Sequence, residues 1–459
     1  MKLELGDVQG LFARGYGDLK SAAFLLLKVE DADASRRWLA ATSVTGAEER
    51  RPDRALNLAF TSSGLERLGL PAEALAMFSN EFVSGMTTPH RTRILGDLDE
   101  NAPAQWDWGG PATPVDAVLL LYARDDGSLA ALEEEQTRLL GQGGLGVVRR
   151  LGTADLDGFE PFGFRDGISQ PFVDGLGKTG PPETTVRAGE FLLGYENEYG
   201  LYTDRLFFDA SADPESVLPR DPAGSGRADL GRNGSYLVFR QLSQDVGGFW
   251  RFADGATCRA DGSSDPDARL RLAAKMVGRW PSGAPLALAP DADDPSLAEA
   301  NDFGYHEDDS RGARCPVGSH IRRSNPRDSL DPNPGSSRSF EINRRHRIVR
   351  RGREYGTSLP LEQALAEDDS AERGLHFICL NANIARQFEF VNHTWLNNTK
   401  FGELYDDADP FFAPGCFTIP TGGVRERVTD VPRFVSVKGG AYFFLPGLAA
   451  LRYLSGLDG

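Results

Sequence analysis

Short apolar runs of strand length alternate with longer amphipathic runs along the first third of the chain. SAAFLLLKVED is apolar with β-character and leads into the helix-like ASRRWLAAT. The same grammar returns in VDAVLLLYARDDG followed by SLAALEEEQTRLL. Between these pairs ALNLAFTSS leads into GLERLGL, and GVVRRLG follows the second helix, so the pattern predicts the order β-α-β-β-α-β. In the last third SYLVFRQL precedes a polar helix-like stretch, GLHFICLNA precedes IARQFEFVNHTWLNN, and RFVSVKGGAYFFLP precedes GLAALRYLSG.

This order is that of a ferredoxin-like sheet, and its return near the C-terminus predicts two α+β units of similar plan without a close internal sequence repeat. The expected division is 1–180 for a first ferredoxin-like domain that carries GFRDG, 181–230 for a loop-rich connection, and 231–459 for a second ferredoxin-like domain. Gly, Pro and charge are dense between the units and again over 283–340, which predicts surface loops there.

At 459 residues two domains are the natural expectation, and a sizeable core is easily buried. The 50 Lys and Arg face 67 Asp and Glu, and the net charge of −17 argues against nucleic acid or an anionic membrane as a partner. The start, MKLELGDVQGLFARGYG, has no apolar h-region, and no run of 18 apolar residues occurs, so the chain reads as soluble with no visible export signal. Cys258, Cys315, Cys379 and Cys416 lie far apart and form no C-x-x-C pair, which suits a reducing cytoplasm better than a disulfide framework.

Two short stretches carry candidate chemistry. GFRDGISQP, residues 163–171, sets Arg165 and Asp166 between glycines. Asp is a favoured turn residue, so a turn former is the plain reading of Asp166. His320, in RCPVGSHIRRSNPR, is one of six histidines and has no His or Cys three or four residues on, so a helical zinc site is excluded. A solvated loop histidine and a single axial haem ligand both remain open. Haem iron needs one strong donor, and nearby arginines suit the propionates. Downstream, NRRHRIVRRGREYG is either a surface basic patch or a segment that turns one Arg inward.

GFRDGISQP, CPVGSHIRRSNPR, HRIVRRGREYG, GLHFICLNANIARQFEFVNHTWLNN and GGAYFFLPGLAAL together resemble the dye-decolorizing peroxidases, and DVQGLFARGYG and AGEFLLGY resemble their longer, cytoplasmic subgroup. The matches follow the family's order from near one end of the chain to near the other. The resemblance implies two ferredoxin-like domains with haem b held mainly by the second. It implies Asp166 as the distal aspartate, His320 as the proximal iron ligand and Arg350 as the distal arginine. Leu375 and Phe377 would roof the distal pocket, Arg323 would contact a propionate, and Asp409 would polarise the proximal His. The implied partners are hydrogen peroxide and an aromatic dye or phenolic donor oxidised by one-electron steps. In such a site Asp166 would move the peroxide proton and Arg350 would stabilise the departing negative charge, with activity toward low pH. Bulky donors cannot enter a peroxide-sized pocket, so Trp395 is a candidate electron relay, or else a packed helix aromatic. The insert 328–344 is expected as a surface loop shaping access. A haem carrier or iron-release protein, or a catalase-like enzyme, are the alternatives; a carrier has no need of Asp166 and Arg350 together.

Overall fold

The apolar runs of the sequence become strands buried on both faces. In the computed structural model, which describes residues 2–366 and 371–457, β1 (Ser21–Val29) sends Ala23, Leu25 and Leu27 into one core and Ala22, Phe24 and Leu26 into another. Successive side chains of a strand point to opposite faces, so a run apolar at every position is what a sheet covered on both sides requires. Each such Leu contributes roughly 1.5–3 kcal/mol by leaving water.

Four strands make the first unit: β1, β2 (Arg54–Phe60), β3 (Ala117–Ala123) and β4 (Leu145–Gly152), all antiparallel in the order β4-β1-β3-β2. Helix α1 (Ala32–Ala41) follows β1 and α2 (Asp126–Gln142) follows β3. Asp31 and Asp125 start these helices by accepting the amides of Ala34 and Ser128 at 2.9 and 2.8 Å, which satisfies donors that have no partner in the first turn.

The second unit repeats the plan. Its strands are β5 (Ser235–Gln244), β6 (Val349–Arg350), β7 (Arg353–Tyr355), β8 (Gly374–Asn381) and β9 (Val435–Leu445). The order runs β9-β5-β8, with β6 and β7 both on the far edge of β8. The Phe60–Phe444 pair joins β2 to β9, so the two units form one nine-stranded sheet. This is the two-ferredoxin arrangement that the strand pattern predicts.

Three details depart from the sequence reading. The stretch after β5 is not polar on its inner face: α3 (Val246–Ala256) buries Phe249 and Trp250, and α4 (Pro266–Val277) buries Leu272 and Met276. The tract 181–230 is irregular yet far from superficial. Phe191, Leu192, Leu193, Leu206 and Leu230 are all buried, and its backbone is satisfied by bonds such as Leu193 N to Gly234 O at 2.9 Å. The insert 328–344 is only partly a surface loop. Asp328 accepts the amide of Tyr305 at 2.6 Å, Ser337–Arg344 is a helix, and Ser339 and Asn343 within it are buried; its exposed positions fall between 331 and 338. No helix among the described residues is long and apolar enough to cross a membrane.

Candidate functional site

The loop that leaves β4 crosses to the second unit and carries GFRDG with it. Gly163 and Gly167 take φ of +94° and +80°, values that a residue with a Cβ rarely adopts, and so bring Asp166 to the wall of a cavity of about 300 Å³. The amide of Asp166 is tied to Gly158 O at 3.0 Å and that of Arg165 to Pro281 O at 3.2 Å. Thus the charged pair of the motif is divided. Both residues line the cavity, but the Arg165 guanidinium pairs with Glu299 and leaves Asp166 to another partner.

Strand β6 presents Arg350 to the same place. Arg350 Nη1 donates to Asp166 Oδ1 at 3.0 Å, and the two backbones are clamped by Gln170, whose side chain accepts from Arg350 N at 3.1 Å and donates to Arg350 O at 3.3 Å. Arg351 turns away and binds the carbonyls of Leu11 and Phe12 at 2.7 and 2.6 Å, so of this neighbouring pair Arg350 is the inward one. Next to β6, the alternate residues Leu375 and Phe377 of β8 line the cavity.

His320 opens a short helix, His320–Ser324, and also lines the cavity. Its Nδ1 donates to Asp409 Oδ2 at 2.8 Å, and Asp409, wholly buried, is itself fixed by the Phe411 amide on Oδ1 at 3.0 Å. Phe411 packs edge-on against the imidazole at 5.6 Å. With Nδ1 engaged, Nε2 is left without a hydrogen-bond partner among the described residues, an oriented neutral donor suited to a metal. Burial works against charge on His320, but Asp409 outweighs it and raises its pKa. For Asp166 burial again opposes ionisation, yet Arg350 and the Gly167 amide bring the carboxyl below its usual range.

One predicted residue is placed otherwise than expected, and Trp395 is packed as a helix aromatic. Arg323 is fully buried, and its guanidinium is consumed by carbonyls: Nη1 binds Trp395 O at 2.7 Å and Asn398 O at 3.0 Å, and Nη2 binds Asp407 O. It does not line the cavity, so its assignment as a propionate contact is corrected: it is a strut beneath His320. Trp395 is buried against His346 and Phe390, with ring centroids 5.2 and 5.4 Å away.

Sequence reasoning missed several members of the site. Arg279, Arg327 and Arg347 line the cavity, and no ion pair reaches any of them among the described residues. Burial pushes Arg347 down to about 9 and Arg279 to about 10, and Arg279 Nη2 has no hydrogen-bond partner. Uncompensated buried cations are costly, and a bound dicarboxylate relieves them. Glu160 was missed as well. It sits in the cavity wall and accepts from Phe162 N, Phe164 N and Gln244 Nε2 at 3.0, 2.9 and 2.8 Å, and burial raises its pKa to about 7. The Glu in GFEPFGFRDG was the available signal. The helical segment behind the cavity, Ala385–Glu389 and Val391–Leu396, has the wide π form, which places Phe388, Val391 and Leu396 on the lining. No cluster of three or more His, Cys, Asp or Glu among the described residues could hold a bare metal ion. One free imidazole nitrogen, apolar walls and guanidinium groups without an ion pair fit haem, an iron porphyrin with two carboxylate tails.

No family model matches the sequence. The dye-decolorizing peroxidase msp1 of Mycetinis scorodonius is 31% identical over 98% of this chain and 87% of its own, and the multifunctional dye peroxidase DyP2 of an Amycolatopsis species is 30% identical over 99% and 94%. Among solved structures, a dye-decolorizing peroxidase in complex with 2,6-dimethoxyphenol superposes with a TM-score of 0.79 at 27% identity, covering 99% of this chain and 100% of that one. A peroxidase of Auricularia auricula-judae gives 0.80 at 25% over the same shares. The likeness spans both units of the sheet and the loop that joins them, and the chain therefore belongs to the dye-decolorizing peroxidases and is a haem-dependent peroxidase.

Proposed function

We propose that the cavity holds haem b, with His320 as the iron ligand, and that Asp166 and Arg350 activate hydrogen peroxide there for the oxidation of dyes and phenols. The observation that carries this reading is the 3.0 Å contact of Arg350 with Asp166 in the cavity that His320 lines. Bound haem supplies the iron centre on which peroxide is reduced. The chain's own residues do the rest. Asp166, kept ionised by Arg350, takes a proton from one peroxide oxygen and returns it to the other, while the guanidinium meets the negative charge that develops as the bond breaks. Leu375 and Phe377 keep the distal space apolar and small, which strengthens both interactions by excluding water. Asp409 holds the His320 ring in the orientation that presents Nε2. Arg279, Arg327 and Arg347 take the propionates.

The relative solved with 2,6-dimethoxyphenol supports a phenolic donor for this chain. Trp395, packed on the cavity-lining His346, is the candidate exit for electrons to donors too large to enter. The proposed division is 1–180 with the distal motif, 181–230 as connection and 231–459 with the iron ligand; the strand orders support it. Four free cysteines support a cytoplasmic location. The visible spectrum of the purified protein tests the haem, and stopped-flow mixing with peroxide tests the distal pair: a colourless protein, or one whose reaction with peroxide survives loss of Arg350 unchanged, overturns the proposal.

A further inference from the structure

Two carboxylates line the cavity on one loop, and their company differs. Asp166 has the Arg350 guanidinium at 3.0 Å. No ion pair reaches Glu160 among the described residues; its three partners, the amides of Phe162 and Phe164 and the side chain of Gln244, are neutral. The charged groups that line the same cavity are Asp166 and Arg165 on its own loop, Arg240 of β5 with its partner Asp97, Arg350 from β6, His320, and the arginines Arg279, Arg327 and Arg347. Like charges sharing a poorly solvated site are not both kept, and the one without a cation takes the proton first. A protonated carboxyl needs an acceptor, and one is at hand: Gln244 Oε1 is buried without a partner, while Nε2 of the same amide donates to Glu160 at 2.8 Å. A half-turn of that amide presents Oε1 to a Glu160 hydroxyl, so the same side chain can serve either protonation state of Glu160.

We propose that Glu160 and Asp166 are a divided carboxylate pair, in which Glu160 stores the proton and so leaves Asp166 charged as the proton acceptor. This rests on the role given to Asp166 above and adds Glu160 to it as a positioning residue. Burial, with Asp166 adding to it, raises the Glu160 carboxyl to about 7, and Arg350 holds Asp166 below its usual range, so the two titrate in separate ranges. In acid Glu160 is neutral and Asp166 is the one charged carboxylate of the pair. As pH rises through neutrality Glu160 ionises, and a second negative charge opposes the departure of hydroxide. Glu160 thereby sets an alkaline limit on peroxide activation.

The test is Glu160→Gln in the full-length holoenzyme, which fixes the neutral form without changing shape. The rate of reaction with peroxide near pH 8 divided by that near pH 5 should rise about tenfold over the wild-type ratio, the effect of about one unit of proton affinity. Infrared difference titration of the resting protein, with no peroxide present, gives a readout independent of turnover. A carboxyl band that loses its proton near neutrality should appear in wild type and in Asp166→Asn, and be absent in Glu160→Gln. Should Glu160→Gln fail to fold, Glu160→Asp keeps the ionisable group and should move the limit instead of removing it. An unchanged rate ratio, or no such band in wild type, overturns the pair. An intact band beside an Asp166→Asn protein that reacts with peroxide at the wild-type rate overturns the role of Asp166, and the pair's function with it.

Discussion

Arg350 Nη1 meets Asp166 Oδ1 at 3.0 Å across 184 positions of sequence, and Gln170 bonds both backbone groups of Arg350 from the loop that carries Asp166. The pair is thus held by its supports as well as by its charges. Replacing Arg350 with Leu removes the donor that meets developing negative charge, worth about 3–4 kcal/mol or two to three powers of ten in rate. Stopped-flow mixing should show at least about a hundredfold slower peroxide reaction. Asp166→Asn should lose less, since water can carry a proton but cannot replace a fixed cation. The double variant should fall short of the sum, because both residues serve one step.

The same contact fixes the direction of the acid limb. Asp166's folded pKa lies below its ordinary value, chiefly through Arg350 acting against burial. The charged form, and the stability it contributes, is therefore present above the unfolded value and is lost as pH falls through the depressed folded value. The pH–rate profile of the wild type should hold its activity in acid, and a variant of Arg350 should lose activity at a higher pH.

Arg323 and Arg347 make opposite predictions. Arg323 satisfies several buried carbonyls, each costing about 1–3 kcal/mol if orphaned, so Arg323→Met should lower the denaturation midpoint sharply. Arg347 is a half-buried cation with a single carbonyl partner, Ser169 O at 3.2 Å. Arg347→Leu should leave the stability of the haem-free chain equal or higher and weaken haem retention, measured as the rate of haem release.

His320→Ala should abolish the normal haem load. Asp409→Ala, which frees the imidazole to rotate, should keep haem but weaken it about 10- to 100-fold, the usual effect of losing the partner of a metal-bound histidine. A full haem load with an unchanged spectrum in His320→Ala would contradict the ligand assignment.

The strands were legible because each is an apolar run between turn residues, and local pattern alone determines them. Asp166, His320 and Arg350 were legible as motifs. Asp409 was only a weak candidate in the sequence, since its contact with His320 spans 89 positions. Arg323 was misread because sequence proximity to His320 says nothing of direction: on a five-residue helix the third residue on points beneath the ring, into backbone carbonyls. The burial of 181–230 escaped notice because Gly and Pro mark irregular backbone, and irregular backbone is buried wherever side chains and neighbouring strands satisfy it. In 328–344 the Pro- and Gly-rich half hid the helix that Ser336 begins.

Asp166 leaves the first unit on the loop after β4, whereas His320 and Arg350 both come from the second, and the Phe60–Phe444 pair together with a Trp108–Gly439 bridge ties the first unit to β9 by backbone. Iron ligation and the supply of the proton acceptor are consequently separable inheritances. A chimera that exchanged the first 180 or so residues for those of a relative would receive its proton acceptor from one parent and its metal site from the other. Recombination at that boundary offers a way to retune how peroxide is handled while the metal site stays as it was.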